Sequence, residues 1–395
     1  MAGSAQLQEL LDATHAGPVF GEGVAFGSLD TEQRQLIADQ TAYVMADAGV
    51  AVAATLERAL PDKDADFIEQ NVAQVITKTG AFFAALAAGE LRTDDDLDDL
   101  SLVCQAGAYM YLGDQLTDRG DEPMRLAIEL INGDRPVVPA EHRAAMAARL
   151  AITQGMDSAI AHFAGLDAGA IQKCYGKRVL HKEVRLQRLS GQYALLDADT
   201  RRRDFLRVHA NTIADLMVGD AGFETVTTSL HSIYAKHDRT LPSAADILFH
   251  PQVGRVIRIC DAVARVADER GDWWMDGGND PRYGEFSINP LNQFHPDIVN
   301  RLCRLADIHD PAQITKITEL FEGFALSRSD AERTAYGEAV TNQFFDVMRR
   351  AVNGLDENML VAAPYRRHTQ LCRRVGEISF INMRGDIALS GENAA

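Results

Sequence analysis

The chain has 395 residues, 46% of them hydrophobic, and a formal charge of −18. That apolar content can bury one large helical domain or two smaller ones, while the charge excludes nucleic acid and anionic membrane as main partners, because nothing offsets phosphate repulsion over a broad surface. The five cysteines, Cys104, Cys174, Cys260, Cys303 and Cys372, show no Cys-x-x-Cys spacing and several sit in apolar helical runs, the pattern of reduced, packed thiols in a cytosolic protein.

Residues 1–27 form an N-terminal arm, a short helix followed by the Gly-rich run from Gly17 to Gly27, without a basic leader or apolar signal core. Asp30 with Gln33 three positions on predicts a capped helix to about Leu60, where Pro61 ends it. A second helix is expected from about Asp64 to Leu91, carrying Phe82 and Phe83 among alanines. The run Thr93-Asp-Asp-Asp-Leu-Asp-Asp contains Asp-Asp-x-x-Asp twice. It lies at the start of the next helix, where carboxylates cap free N–H groups and favour the dipole, so it reads as a cap and not as a metal motif. Asp114 follows about twenty residues on, nearly 30 Å away at the helical rise of ~1.5 Å per residue. The two acidic clusters therefore cannot serve one site on a continuous helix.

Helical patterns continue at about 122–132, 140–164, 167–195 and 200–235, the last interrupted at Val218-Gly-Asp-Ala-Gly222. Others follow at 243–249, 251–270, 297–309, 311–327, 329–353 and 366–376, with a short alternating stretch near Glu377 and a tail over 377–395. The twelve prolines avoid the interiors of these segments, and no apolar run reaches the roughly 18 residues that span a bilayer. The expectation is an all-α protein: a single large antiparallel helical bundle over residues 28–376 enclosing an apolar active-site cavity.

Two helices in this pattern end in aligned acids. Asp114, Asp118 and Asp121 recur about one turn apart at the close of an apolar run. Asp261, Arg265, Asp268 and Asp272 share a face of a second helix, with Arg258 and Glu269 on its flank. Like charges at that spacing destabilise a helix unless a cation relieves them, and aligned carboxylates suit Mg²⁺. Facing each other, two such clusters would hold divalent ions and a diphosphate. The apolar halves of the helices, with Tyr111, Phe83 and Trp273 as candidate aromatic faces, would shield a carbocation from water.

This pattern resembles the class I terpenoid synthases, all-α terpene cyclases that bind three Mg²⁺ between an aspartate-rich motif and an Asn/Asp-Ser/Thr-Glu motif. The first motif maps to Asp114 with Asp118, without the paired initial aspartates; the second maps to Arg258, Asp261, Arg265 and Glu269. Arg265 stands where a Ser or Thr ligand is expected, so either Asp268 supplies that oxygen or that metal is bound differently. The resemblance implies metal ligands at Asp114, Asp118, Asp261, Asp268 and Glu269, and diphosphate contacts at Arg258 and Arg265. Basic residues such as Arg178 and Arg185 would add to these contacts, with Tyr365 and Arg366 similar to the family's C-terminal Arg-Tyr pair in reversed order. It also implies a prenyl diphosphate substrate, with mono-, sesqui- and diterpene lengths all open and a diterpene precursor one of them, and is compatible with a homodimer.

Three alternatives stay open. A squalene/phytoene-synthase-like prenyltransferase shares the chemistry; His237-Asp238 and His309-Asp310 suggest a His-Asp phosphohydrolase, although both pairs fall at expected helix ends; and a non-catalytic helical binding protein would leave the acidic faces merely solvated.

Overall fold

The computed structural model describes residues 30–59, 72–73, 76, 93–117, 126, 137–140, 143, 146, 154–155, 185, 189, 192–193, 195–196, 199–218, 231, 233, 235–236, 239–243, 246–247, 249–271 and 294–358. Among the described residues the protein is all-α, with no strand. The helices are α1 (Thr31–Ala59), α2 (Asp94–Thr117), α3 (Asp199–Val218), α4 (Val253–Gly271), α5 (Pro296–Leu305), α6 (Pro311–Leu326) and α7 (Asp330–Asn358). The alternating stretch near residue 377 lies outside the described residues, as do the N-terminal arm and the tail. No described helix is long and apolar enough to cross a membrane.

Contacts divide the chain into two compact units: residues 1–177, 224–250 and 358–381 form the first, and residues 178–223, 251–357 and 382–395 the second. In the first unit, α1 starts where Asp30 and Gln33 exchange bonds, Gln33 N–H to Asp30 Oδ1 at 2.8 Å and Asp30 N–H to Gln33 Oε1 at 3.1 Å. Each side chain satisfies a backbone N–H that the first turn leaves without a carbonyl. A similar reciprocal pair, Thr93 and Asp96, opens α2.

Helices α1 and α2 pack together, and Val44, Ala48, Val52 and Leu56 of α1 and Val103, Cys104, Ala108 and Tyr109 of α2 are buried. Three side-chain bonds tie them at nearly constant offset: Tyr43 to Asp98, Ser101 to Asp47, and Thr55 to Tyr109, separated by 55, 54 and 54 positions. A constant offset means that the two helices run parallel. Val72 and Ile76 of that segment lie against Gly49 of α1.

In the second unit, α3 packs on α5, and both touch α4; α6 packs on α5. Pro296 and Pro311 stand at the first turns of α5 and α6, where a missing N–H costs nothing. Helix α5 stops at Leu305 instead of running on to the expected 309. Its end is a left-handed cap: Asp307 has φ 61°, Ile308 N–H reaches back to Cys303 O at 2.8 Å, and Asp307 N–H bonds to Arg304 O at 3.1 Å. This pair of bonds is the Schellman arrangement, in which glycine is the usual occupant of the left-handed position.

Asparagine or aspartate tolerates the conformation better than other side chains, and here Asp307 also receives Arg255 Nε at 2.9 Å. Replacing Asp307 by Gly or by Ala removes the carboxylate in both cases, but only Ala keeps the Cβ strain. Asp307→Ala should therefore be less stable than Asp307→Gly by about 1 kcal/mol in urea unfolding; equal midpoints would show that the turn carries no left-handed strain.

Candidate functional site

The best-described part of the expected site is α4. Over Val253–Ala267 the helix is buried on almost every side, and only Arg255 and Arg258 stand exposed. Asp261 lies within this apolar helix at 5% exposure. Arg258 precedes it by three positions and Arg265, half-buried, follows by four, the spacings that put side chains on adjoining parts of one helix face. One element therefore brings Arg258, Asp261 and Arg265 together. Asp268 and Glu269 continue α4 toward its end at Gly271, with side chains outside the described residues.

Asp114 and Tyr111 sit in the last two turns of α2, which ends at Thr117; their side chains are outside the described residues. Asp118, Phe83, Arg178, Trp273, Tyr365 and Arg366 also lie outside them, and Arg185 is an exposed helical position. Asp114 belongs to the first unit and Asp261 to the second.

The chemistry of α4 fits magnesium in part. A carboxylate oxygen at Asp261 is the hard donor that Mg²⁺ takes, whereas Arg265 offers a fixed cation where a ligand oxygen is needed. Among the described residues no group of three His, Cys, Asp or Glu side chains is placed to hold a metal ion. Asp261 would need Asp268 or Glu269 as its companion.

The acidic run at the start of α2 has a different role. Asp94, Asp95 and Asp96 occupy the first turn, and Asp96 closes the cap on Thr93. Beyond that capping role, Asp96 and Asp99 are buried, at 1% and 5% exposure, and Asp99 accepts a hydrogen bond from Lys236 Nζ at 2.9 Å. That bond, set against the lysine's partial burial, pushes the Lys236 ammonium pKa up, with Asp95 and Asp96 adding to it.

The described half of the His-Asp pairs is also structural. Asp310 caps α6 by accepting from Ala312 N–H at 3.1 Å, and His309 Nε2 lies 3.1 Å from Asp307 Oδ1. Burial pushes the Asp307 carboxyl up, but Arg255 and His309 pull it below the usual carboxylate range. His237-Asp238 lies outside the described residues. Of the described cysteines, Cys104, Cys260 and Cys303 are buried and in no disulfide, and burial raises the Cys303 pKa to about 12, leaving it inert as a nucleophile.

Sequence reasoning missed His231, 2% exposed, whose Nε2 lies 2.7 Å from the Pro242 carbonyl. No motif marks it.

No protein-family model, no curated protein and no solved structure matches the chain.

Burial holds the His231 pKa below its ordinary value, outweighing the opposing bond to Pro242. The folded state thus favours neutral imidazole. The unfolded chain takes up the proton first as pH falls below about 6.5, so the stability that His231 contributes is complete above that value and declines as pH drops toward the lowered folded pKa. His231→Gln, with an acceptor and donor but no titration, should flatten this part of the stability curve between pH 7 and 5. An unchanged slope in urea unfolding would remove His231 from the acid response.

Proposed function

We propose that the chain is a class I terpene synthase, a carbon–oxygen lyase that ionises an allylic prenyl diphosphate with Mg²⁺ and directs the resulting carbocation to a cyclic or rearranged product. The observation that carries this reading is Asp261: a buried carboxylate on a helix whose other buried residues over Val253–Ala267 are apolar, between two arginines in sequence, on the helix that continues to Asp268 and Glu269. A buried carboxylate is costly unless cations or hydrogen bonds accompany it. A helix that keeps one in apolar surroundings, with further acids in its last turns, suits an ionising centre beside a dry wall.

In this proposal Asp114 and Asp118, together with Asp261, Asp268 and Glu269, are the magnesium ligands. The bound ions, three in the resembling family, supply charge neutralisation for the departing diphosphate. Arg258 and Arg265 present planar guanidinium forks suited to bidentate contact with diphosphate oxygens, aided by Arg178, Arg185, Tyr365 and Arg366. Tyr111, Phe83 and Trp273 present aromatic faces that attract the cation and exclude water from it. Ionisation breaks the C–O bond to the diphosphate; loss of a proton or capture of water then completes the product. The working enzyme is proposed to be cytoplasmic, with its helices enclosing the apolar cavity that such a cation requires.

Geranyl, farnesyl, geranylgeranyl and copalyl diphosphates offered with Mg²⁺ should yield a hydrocarbon or alcohol from at least one, detected by gas chromatography and mass spectrometry. EDTA should abolish turnover and Mg²⁺ restore it. Asp261→Asn and Asp114→Asn, each checked for unchanged helicity, should lower turnover roughly a hundredfold or more. Folded protein that converts none of the four substrates would overturn the proposal, and a product formed only when two diphosphates are supplied would replace it with a condensing prenyltransferase.

A further inference from the structure

Helix α1 turns Val44, Ala48, Val52 and Leu56 inward, and its opposite face ought to be polar. It is not. Leu36, Tyr43 and Val50 are 46%, 48% and 71% exposed and follow one another at seven-residue intervals, which aligns them along the helix. Exposed Ala42, Ala46 and Ala54 fill the spaces between them, and from Ala42 to Ala54 only Asp47 brings a charge to this face. Exposed Asp39 also lies on this face between Leu36 and Tyr43, so the strip is apolar residues interspersed with two carboxylates, and an exposed apolar patch rimmed by polar residues marks an interaction surface.

The rim of this strip is acidic. Tyr43 Oη donates to Asp98 at 2.9 Å, and Asp47 accepts from Ser101 at 2.6 Å. Asp94 and Asp95 stand exposed in the adjoining first turn of α2. Asp98, Asp47 and Asp94 all act on the Tyr43 phenol and push its pKa up, the hydrogen bond to Asp98 foremost. Arg58, at the far end of α1, is turned back onto Ala54 O and Thr55 Oγ1.

This charge pattern decides the occupant. A second copy would bring its own carboxylates against these, and like charges across an interface are repulsive. We propose that the outward face of α1, with the first turn of α2, docks a cationic amphipathic helix of a partner protein. Its apolar stripe lies over Leu36, Tyr43 and Val50, and its Lys or Arg flank meets Asp94, Asp95 and Asp98. This is helix-on-helix recognition through anchors at helical spacing, with the charges setting approach and orientation.

The test uses the full chain and a fluorescein-labelled peptide of about 18 residues, Leu and Lys only, with Leu at i, i+3, i+4 and i+7 positions. A control of identical composition distributes Leu around the helix. By anisotropy, the amphipathic peptide should bind about tenfold or more tighter than the control, and the double variant Leu36→Asn with Val50→Asn should erase that difference. Both positions are exposed, so the variant should keep wild-type helicity and melting temperature. The charge reversal Asp95→Lys should weaken binding of both peptides and reduce its salt dependence. Equal affinity for the two peptides would overturn the proposal, since net charge alone would then explain binding. So would no binding at all, or a sedimenting wild-type dimer that the double variant dissociates, which would make the occupant a second copy.

Discussion

A helix that is apolar around most of its circumference is stable only when its neighbours cover it, and α4 imposes that requirement on the second unit. Val253, Val256, Ile257, Ile259, Cys260, Val263 and Val266 are each at most 3% exposed. At about 1.5–3 kcal/mol for each fully buried large aliphatic side chain, their burial is a main source of stability for this unit. Helices α3 and α5 meet the requirement by packing on α4 and on each other. Solvent reaches α4 chiefly at Arg255 and Arg258, and Arg255 is fastened to Asp307 in the turn that ends α5. The same surroundings constrain Asp261. A carboxylate buried among apolar side chains is costly unless charges or hydrogen bonds accompany it, and guanidinium groups stand at the i−3 and i+4 positions of its own helix.

The first unit solves its packing differently. Helices α1 and α2 are in contact and bury several small side chains, Ala48, Ala106 and Ala108 among them, each of which has less apolar area to bury than a large aliphatic residue. Polar bonds make up part of the difference. The Thr55 and Tyr109 hydroxyls lie 3.0 Å apart in a buried setting, and the Thr55 hydroxyl also reaches Ala51 O at 3.0 Å. Each such bond contributes only about 1 kcal/mol net, yet three of them at one offset specify a single register between two helices that smooth alanine surfaces would let slide. The Tyr109 ring is in turn held against Gly155, where an added Cβ would lie 2.7 Å from Cζ.

What was legible in the sequence is what short range decides. The start of α1 followed from two residues three positions apart, and the acidic opening of α2 from the same rule, because a cap satisfies its own helix. Proline placement marked the starts of α5 and α6 for the same reason. The end of α5 was not legible: its left-handed residue is aspartate rather than glycine, and what accompanies that conformation is an arginine 52 positions away. Asp99 with Lys236, separated by 137 positions, is likewise a product of tertiary packing. Of the expected site, the face that Asp261 shares with Arg265, with Arg258 on its flank, is set by helical periodicity alone. The partners that would complete it come from elsewhere in the chain, where periodicity has no reach.

Counting aspartates is therefore a poor guide to cation sites in so acidic a chain, and the described residues give the reason. Asp96 bonds to a backbone N–H at a cap, Asp99 to an ammonium, Asp98 to a phenol, Asp307 to a guanidinium and Asp310 to another cap. Each already accepts from a donor. Each carboxylate keeps further lone pairs, but a metal that displaced such a donor would leave a desolvated N–H or an unpaired cation behind at a cost of roughly 1–3 kcal/mol or more. The doubled Asp-Asp-x-x-Asp string, the strongest metal signal by pattern, is thus the weakest by physics, since two of its carboxylates, Asp96 and Asp99, are engaged in holding α2 in place. The carboxylates best suited to a catalytic ion are those near the ends of apolar helices, where no backbone N–H needs capping and the unfavourable helix dipole itself calls for a cation. Asp114, in the last turn of α2, and Asp268 and Glu269, in the last turn of α4, meet that condition.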